Sequence, residues 1–409
     1  MTSTFTVAVT GQSLIKHDIR SVRLPAFEEV CTILRRADLS FTNFEGTIRG
    51  RYAGWPLKGF FFGCSDPSVL DALKAAGFGA LSLSNNHAFD LGPSGVLSTM
   101  EEVEKRGFLH AGLGRSHCEA SRAGSATIGD RQSAIVAMDG GPGPDFMYAA
   151  DADQGRPARP GVNRLRISQI IEIDEAAFAQ LRLVREKVGY TDMALANDSQ
   201  PDDPPRIDAD EEIGIVGAVF KRSDGFRRTV KVDQADKARN LATIASAAAD
   251  GCLVVAYLHH HHWAGNWHQV PVWVSSLARE CIDAGAAMFV SHGAPVLQPV
   301  EIYRDRPIFY GLGNFIFHVE ATKSIWSAPE VWESVVALCA FDQDNTLHGL
   351  TFYPVIIGGE FDDVEPERDL VPQLATGLRA DLILRRFREL AGEFGTNIAI
   401  GDGVGTLNL

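Results

Sequence analysis

Five times along this chain, a short apolar run that reads as a strand ends in residues suited to holding a metal or orienting water. The second strand gives Thr42-Asn43-Phe44-Glu45-Gly46, and the third gives Ser84-Asn85-Asn86-His87-Ala88-Phe89-Asp90-Leu91-Gly92. A later run, Cys252–Leu258, leads into His259-His260-His261-His262-Trp263. Phe289-Val290-Ser291-His292-Gly293 and Gly311-Leu312-Gly313-Asn314-Phe315 complete the set. In an open α/β sheet, the carboxyl ends of the strands and the loops after them form the binding site. Any one cluster reads equally well as turn chemistry. Five in the same topological place point to one site.

The elements between them alternate. Strands are expected over Phe5–Thr10, Leu39–Asn43, Ala80–Ser84 and Ala134–Met138, with helices over Ala26–Arg36, Pro67–Ala76 and Gly92–Arg106. Asp66 is the expected N-cap of the helix that opens with Pro67. After the insertion described next, a strand over Ile213–Phe220, a helix over Gln234–Ala249 and a helix near Trp273–Ala284 are expected. Further strands are expected at Ala287–Ser291, Ile308–Tyr310, Val335–Phe341 and Leu350–Val355. This rhythm predicts an α/β fold of packed layers. It breaks at Gly140-Gly141-Pro142-Gly143-Pro144 and resumes near residue 213. The chain therefore divides into 1–139 and 213–358 as two parts of one domain, an insertion over 140–212 with a helix at Glu175–Lys187, and a C-terminal helical region over 359–409. The insertion is a candidate cap over the site, or equally an ordinary surface excursion. Glu360–Asp369 reads as solvated, and Val371–Phe394 holds a packing helix.

The histidine run is the sharpest of the five clusters. Burying an imidazole costs free energy unless the ring finds a partner, and a divalent metal partners several neutral imidazoles at once. If the strand continues, His259 and His261 share one face and His260 and His262 the other, so one pair reaches a given site. The plainer alternative is a polar loop rim with individually satisfied rings.

Composition narrows the partners. The 409 residues carry a formal net charge of −14 with no strong basic patch, which argues against nucleic acid and anionic membrane surfaces. The start lacks a basic segment followed by an apolar one, and no apolar run approaches the ~20 residues of a membrane helix. The six cysteines are scattered without a C-x-x-C pair, the pattern of reduced core residues in a cytoplasmic protein. Gly112-Leu113-Gly114-Arg115-Ser116-His117 lacks the third glycine of a dinucleotide loop, and neither a Walker A sequence nor a G-x-S-x-G elbow is present. A Ser/His/Asp triad stays open, but nothing marks its nucleophile.

Taken together, Asn43-Phe44-Glu45, the Asn85–Gly92 stretch, His259–Trp263 and the segment from His292 to Phe317 resemble the CapA-type family of capsule and poly-γ-glutamate synthesis proteins. In the last segment, Val296-Leu297-Gln298-Pro299-Val300-Glu301-Ile302-Tyr303 and Tyr310-Gly311-Leu312-Gly313-Asn314-Phe315-Ile316-Phe317 are similar to the family pattern. The resemblance covers roughly residues 5–135 and 213–357, and implies a layered α/β sandwich of the calcineurin-like metallophosphatase type. Three departures stand out. The family's Gly-Asp after the first strand is Gly11-Gln12 here, and its Gly-His-His-Pro-His is Ser291-His292-Gly293-Ala294-Pro295. Its His-Trp-Gly-x-Glu becomes a histidine run without the glutamate. These point to a rebuilt mono- or dinuclear site, with the extra histidines compensating, or to a decayed one. Family members are often membrane-anchored or secreted, whereas no anchor is visible in this sequence.

The expected metal ligands are Glu45, His87, His259, His261 and His292, holding zinc, manganese, iron or nickel. Such an ion polarises a carbonyl or phosphoryl oxygen and lowers the pKa of a bound water toward ~7. Asp90, His261 and Asn86 are the expected catalytic residues, and Asn43, Asn85, Asn314 and Trp263 the expected substrate contacts. The reaction expected is hydrolysis of an amide, γ-glutamyl or related C–N bond, because no extra arginine cluster accompanies the motifs to grip a phosphate. A metal-dependent phosphoesterase and a non-catalytic scaffold protein remain alternatives. The expected partner is a small-molecule or short peptide-like substrate, with neither nucleic acid nor membrane, and with a homo-oligomer left open.

Overall fold

The first strand shows how the layers are built. In Phe5–Val9, Val7 and Val9 join one buried apolar cluster while Ala8, between them, joins another. The same alternation holds for Ala80 and Leu81, and for Val335, Val336 and Ala337. Neighbouring strand residues point to opposite faces, so this sheet is covered on both sides.

The computed structural model describes residues 4–58, 63–198, 211–215, 218–319, 326–358 and 370–408. Two compact units emerge, one comprising Met1–Leu165 with Ala235–Leu409 and the other Arg166–Gln234. In the larger unit, Phe5–Val9, Leu39–Asn43, Ala80–Ser82 and Leu109–Ala111 run parallel in a nine-stranded sheet. The long strands Glu333–Phe341 and Leu347–Ile357 extend that sheet antiparallel from Phe5–Val9. A six-stranded sheet carries Arg131–Asp139, Leu253–His259, Met288–His292 and Arg306–Phe309 in parallel. Val7, Val9 and Phe41 of the first sheet share a core with Ile135, Val255, Tyr257 and Val290 of the second. Phe41 and Tyr257 meet with ring centroids 5.6 Å apart.

Helices cover the outer faces. Pro25–Arg36, Ser68–Ala76 and Gly92–Lys105 press Val30, Leu34, Val69, Leu73, Val96 and Met100 onto the large sheet. Val272–Asp283 buries Val274, Leu277, Ala278, Cys281 and Ile282 and packs on the small sheet. The layered α/β sandwich expected from the sequence is therefore present. No helix among the described residues is long and apolar enough to cross a membrane.

Four expectations need correction. The helix expected from Pro67 begins at Ser68, with Pro67 at the cap position and no side-chain cap bond. Asp66 instead pairs with Arg49 at 2.7 Å. The single strand expected over Ile213–Phe220 is two antiparallel strands, Glu212–Ile215 and Ala218–Arg222. These join Ile167–Ile173 and Arg227–Val232 in a separate four-stranded sheet, so this stretch does not resume the main sheets. The C-terminal region is not only helical. Helix Gly377–Gly392 is followed by the hairpin Ala399–Gly401 and Val404–Asn408, which pairs with Leu347–Ile357. Gly403, at φ 74°, makes the turn, and the weak apolar pattern of the hairpin concealed it. Finally, the histidine strand runs one residue further than expected, ending at His259. The acidic segment Glu360–Asp369 lies outside the described residues.

Candidate metal centre

Both sheets deliver their carboxyl-terminal strand ends to one place. Asp139 lies opposite His259 in the parallel register, and His259 lies opposite His292. Glu45 follows Leu39–Asn43 directly and is anchored by its backbone N–H, which donates to the Ser13 carbonyl at 3.0 Å. Glu45, His259 and His261 each offer one ligand atom, all within 4.8 Å of one another.

The histidine run splits as alternation predicts. The rings of His259 and His261 lie 5.0 Å apart. His260 and His262 turn away and meet the edge of Trp273, at 4.9 and 6.3 Å. His262 also shares a hydrogen bond with the Gly140 carbonyl at 2.9 Å. Of the four, His259 and His261 therefore face the glutamate.

Buried charge sets the protonation. His259 Nε2 stands 3.6 Å from Glu45 Oε1, an ionic contact longer than a hydrogen bond, and His259 Nδ1 stands 3.2 Å from Asp139 Oδ1. Burial alone would lower His259, but Asp139 and Glu45 together raise it to about 9. Burial alone would raise Glu45, but its contact with His259, helped by the charges of His87 and His261, holds it at about 2. Burial, then the neighbouring His259 charge, pushes His261 and His292 each down to about 3. The surroundings thus favour positive charge at His259 and negative charge at Glu45, and disfavour positive charge on His261 and His292.

A cation fits this set. Glu45 Oε2 and the Nε2 atoms of His259, His261 and His292 are buried without a hydrogen-bond partner. An unsatisfied buried polar atom costs about 1–3 kcal/mol, and neutral imidazoles with a carboxylate are a donor set for divalent transition metals. Glu45, His259 and His261 would hold the ion. His292 shares their electrostatic field through His259 and Glu45, and its Nδ1 is 3.3 Å from the Tyr257 hydroxyl.

A cavity of about 540 Å³ opens beside the cluster, lined by Glu45, Asn86, His87 and His261, by Lys58, and by an aromatic wall of Trp263, Phe317 and Trp326. His87 Nδ1 is bonded to Asp90 Oδ2 at 2.7 Å, and Lys58 Nζ sits 3.1 Å from Asp90 Oδ1. His87 therefore belongs to a His–Asp–Lys chain on the cavity wall, outside the triad of potential ligand atoms.

The expected asparagines divide. Asn86 and Asn314 line the cavity. Asn43 and Asn85 are fully buried. Asn85 Nδ2 donates to the Phe44 carbonyl at 2.7 Å and to Asn43 Oδ1 at 3.3 Å, and Asn85 Oδ1 accepts from the His87 N–H at 3.1 Å. The Asn85 amide ties two strand ends together, and neither Asn43 nor Asn85 is among the residues lining the cavity. Trp263 does line it, and its Nε1 donates to the His260 carbonyl at 3.0 Å.

Sequence reasoning missed Lys58, Asp139 and Trp326. Asp139 was legible in principle, since it ends a strand just before Gly140-Gly141, the same position that marked the other clusters. Lys58 and Trp326 come from loops without a pattern to flag them.

The residues at the departures are closely held. Gln12 Nε2 donates to Asn314 Oδ1 at 3.0 Å, and Gln12 Oε1 accepts from the Gly293 N–H at 3.1 Å. Gly293 has φ 122°, and a Cβ there would lie 1.9 Å from the His260 carbonyl oxygen. The histidine run passes too close for a side chain at 293; Pro295, which stands where the family pattern has its last histidine, lines the cavity.

Comparisons with known proteins agree with the motifs. The family profile described as "Bacterial capsule synthesis protein PGA_cap" matches residues 6–319. The y4sH protein of Sinorhizobium fredii (strain NBRC 101917 / NGR234) is 29% identical over 455 residues, covering 99% of this chain and 93% of that protein. The PGA biosynthesis protein CapA of Bacillus subtilis (strain 168) is 33% identical over 120 residues, 28% of this chain and 31% of its own length. Among solved structures, a 5'-nucleotidase precursor from Thermus thermophilus aligns with a TM-score of 0.37 at 11% identity, over 87% of this chain. The chain spans only 54% of that nucleotidase, and the similarity is too low to carry an argument.

Proposed function

Because the chain belongs to the bacterial capsule synthesis protein PGA_cap family, we propose that it is a metal-dependent hydrolase of an amide, γ-glutamyl or related C–N bond. The carrying observation is the group of buried, unpartnered ligand atoms on Glu45, His259, His261 and His292 at the ends of strands. When bound there, a divalent ion supplies Lewis acidity and an activated water. The chain's own residues do the rest. Asp90, bonded to His87 Nδ1, orients that ring on the cavity wall for general acid or base work. Asn86, whose side-chain oxygen is buried without a partner, is placed to orient water or substrate at the cavity. Lys58 suits an anionic substituent, and Trp263, Phe317 and Trp326 an apolar one. The six cysteines stand unpaired, four of them buried, which supports a reducing, cytoplasmic setting.

A non-catalytic binding protein is the second reading. Gln12 favours it, because its amide is engaged by Asn314 and Gly293 where the family usually carries a carboxylate. The test uses protein purified without a nickel column, because the native histidine run can itself capture nickel. Chelated and metal-restored samples are assayed on γ-glutamyl-p-nitroanilide and p-nitrophenyl phosphate. Metal-dependent release from the anilide supports the proposal. Release from the phosphate alone makes the protein a phosphoesterase. Metal binding with turnover of neither class favours the binding role.

A further inference from the structure

Asp139 has no assigned role beyond its contact with His259, yet it is fully buried and its backbone is fixed on both sides. Its N–H donates to the Asn163 carbonyl at 2.9 Å, and its carbonyl accepts from the Leu165 N–H at 2.8 Å. One carboxylate oxygen, Oδ2, accepts from the Tyr148 hydroxyl at 3.2 Å. The other, Oδ1, lies 3.2 Å from His259 Nδ1. The two following residues hold the rest of the run. The Gly140 N–H donates to the His259 carbonyl at 2.7 Å, and the Gly141 carbonyl accepts from the His261 N–H at 2.7 Å.

We infer that Asp139 is the positioning residue of the centre. Seated by Tyr148, it engages His259 Nδ1 and so leaves Nε2 turned toward Glu45. A ring nitrogen used as a ligand needs its lone pair bare and aimed, and a carboxylate on the opposite N–H secures both. The strand register makes this possible, because Asp139 and His259 are direct neighbours on adjacent parallel strands. The inference rests on the metal-site reading and adds a residue that acts through His259 without touching the ion.

The experiment titrates zinc alone, and manganese alone, into metal-free full-length protein. The variants are Asp139→Asn, Tyr148→Phe, His259→Ala and the double variant Asp139→Asn/His259→Ala, with thermal unfolding of each metal-free form as the folding control. Asp139→Asn should weaken zinc binding roughly 10- to 100-fold, and Tyr148→Phe by less, as for other partners of ligating histidines. The decisive readout is the cycle. If Asp139 acts through His259, the double variant should bind no more weakly than His259→Ala alone, within about twofold. A structural role predicts the same fractional loss in both backgrounds, accompanied by lower stability of the metal-free protein, and would overturn the inference. So would unchanged zinc affinity in both Asp139→Asn and Tyr148→Phe. Absence of metal binding in the unsubstituted protein sinks the metal site itself, and this inference with it. Binding there without an effect at Asp139 sinks the inference alone.

Discussion

His318 shows what a single buried ring contributes. The backbone N–H groups of Lys16 and His17 both donate to its Nδ1, at 3.0 and 3.3 Å, which requires the neutral form. Burial, reinforced by the charges of His17 and Lys16, pushes it down to about 3. Above about pH 6.5 folded and unfolded chains both hold the ring neutral, and it adds no pH dependence. Below that, the unfolded chain takes up a proton that the folded one refuses. Stability should therefore fall by about 1.4 kcal/mol per pH unit from this group as pH drops from 6.5 toward 3. His318→Asn should be less stable than the parent by about 1 kcal/mol at pH 7.5, having lost an acceptor contact. By pH 5 the parent should have lost about 2 kcal/mol from this group, so the order should reverse, as denaturant titrations at the two pH values will show. A constant gap would mean the ring is not held neutral. Gln12 is the second test at this scale. Gln12→Asp removes the donor to Asn314 and should cost about 1–3 kcal/mol, with metal stoichiometry unchanged in elemental analysis. A second bound ion would show that position 12 lies within the metal environment after all. Single residues were unevenly legible. Glu45 and the alternating histidines declared themselves by strand position. Asn43 and Asn85 looked like substrate contacts, because an amide that braces two strand ends carries the same sequence signal as one that faces a ligand.

At the scale of elements, the close approach of two neighbouring strand ends shapes the centre. Gly293 bears a positive φ directly beneath the His260 carbonyl. Gly293→Ala should lower stability by about 3 kcal/mol or more, since left-handed strain and a backbone clash add. Thermal unfolding checks this, and a shift within experimental error would show that the strand end can move aside. The strands and helices that were named in the larger unit lie within a few residues of those observed, because burial on both faces leaves near-continuous apolar runs and amphipathic helices between them; Leu109–Ala111, Gly124–Ile128 and Val300–Tyr303 went unread, being too short or too exposed to show a pattern. The strands near residues 213–222 were misread. A short antiparallel pair, half exposed, has too little periodicity to be told from a single strand.

Over the whole molecule, the C-terminal helix is fastened to the large sheet by charge. Glu333, at the start of a core strand and 2% exposed in its side chain, meets Arg379 at 3.0 Å and also Arg386. Glu333→Gln should destabilise by about 1–3 kcal/mol, less than for a fully buried pair because both arginines are partly in water. Urea unfolding would register it, and no change would show the apolar face of the helix to be sufficient. The smaller unit begins and ends close together, since the Asp233 N–H donates to the Arg166 carbonyl at 2.9 Å. Replacing the intervening residues with a short Gly/Ser linker should preserve metal content. Elemental analysis checks this, and loss of metal would show that the centre depends on the smaller unit. The central claim is that Glu45, His259 and His261, with His292 beside them, hold a catalytic metal. The most direct test is elemental analysis of tag-free protein, paired with turnover on the same sample. At least one equivalent of a divalent transition metal per chain is predicted, lost together with activity in Glu45→Ala and His261→Ala. A metal-free sample that still hydrolyses substrate would contradict the account.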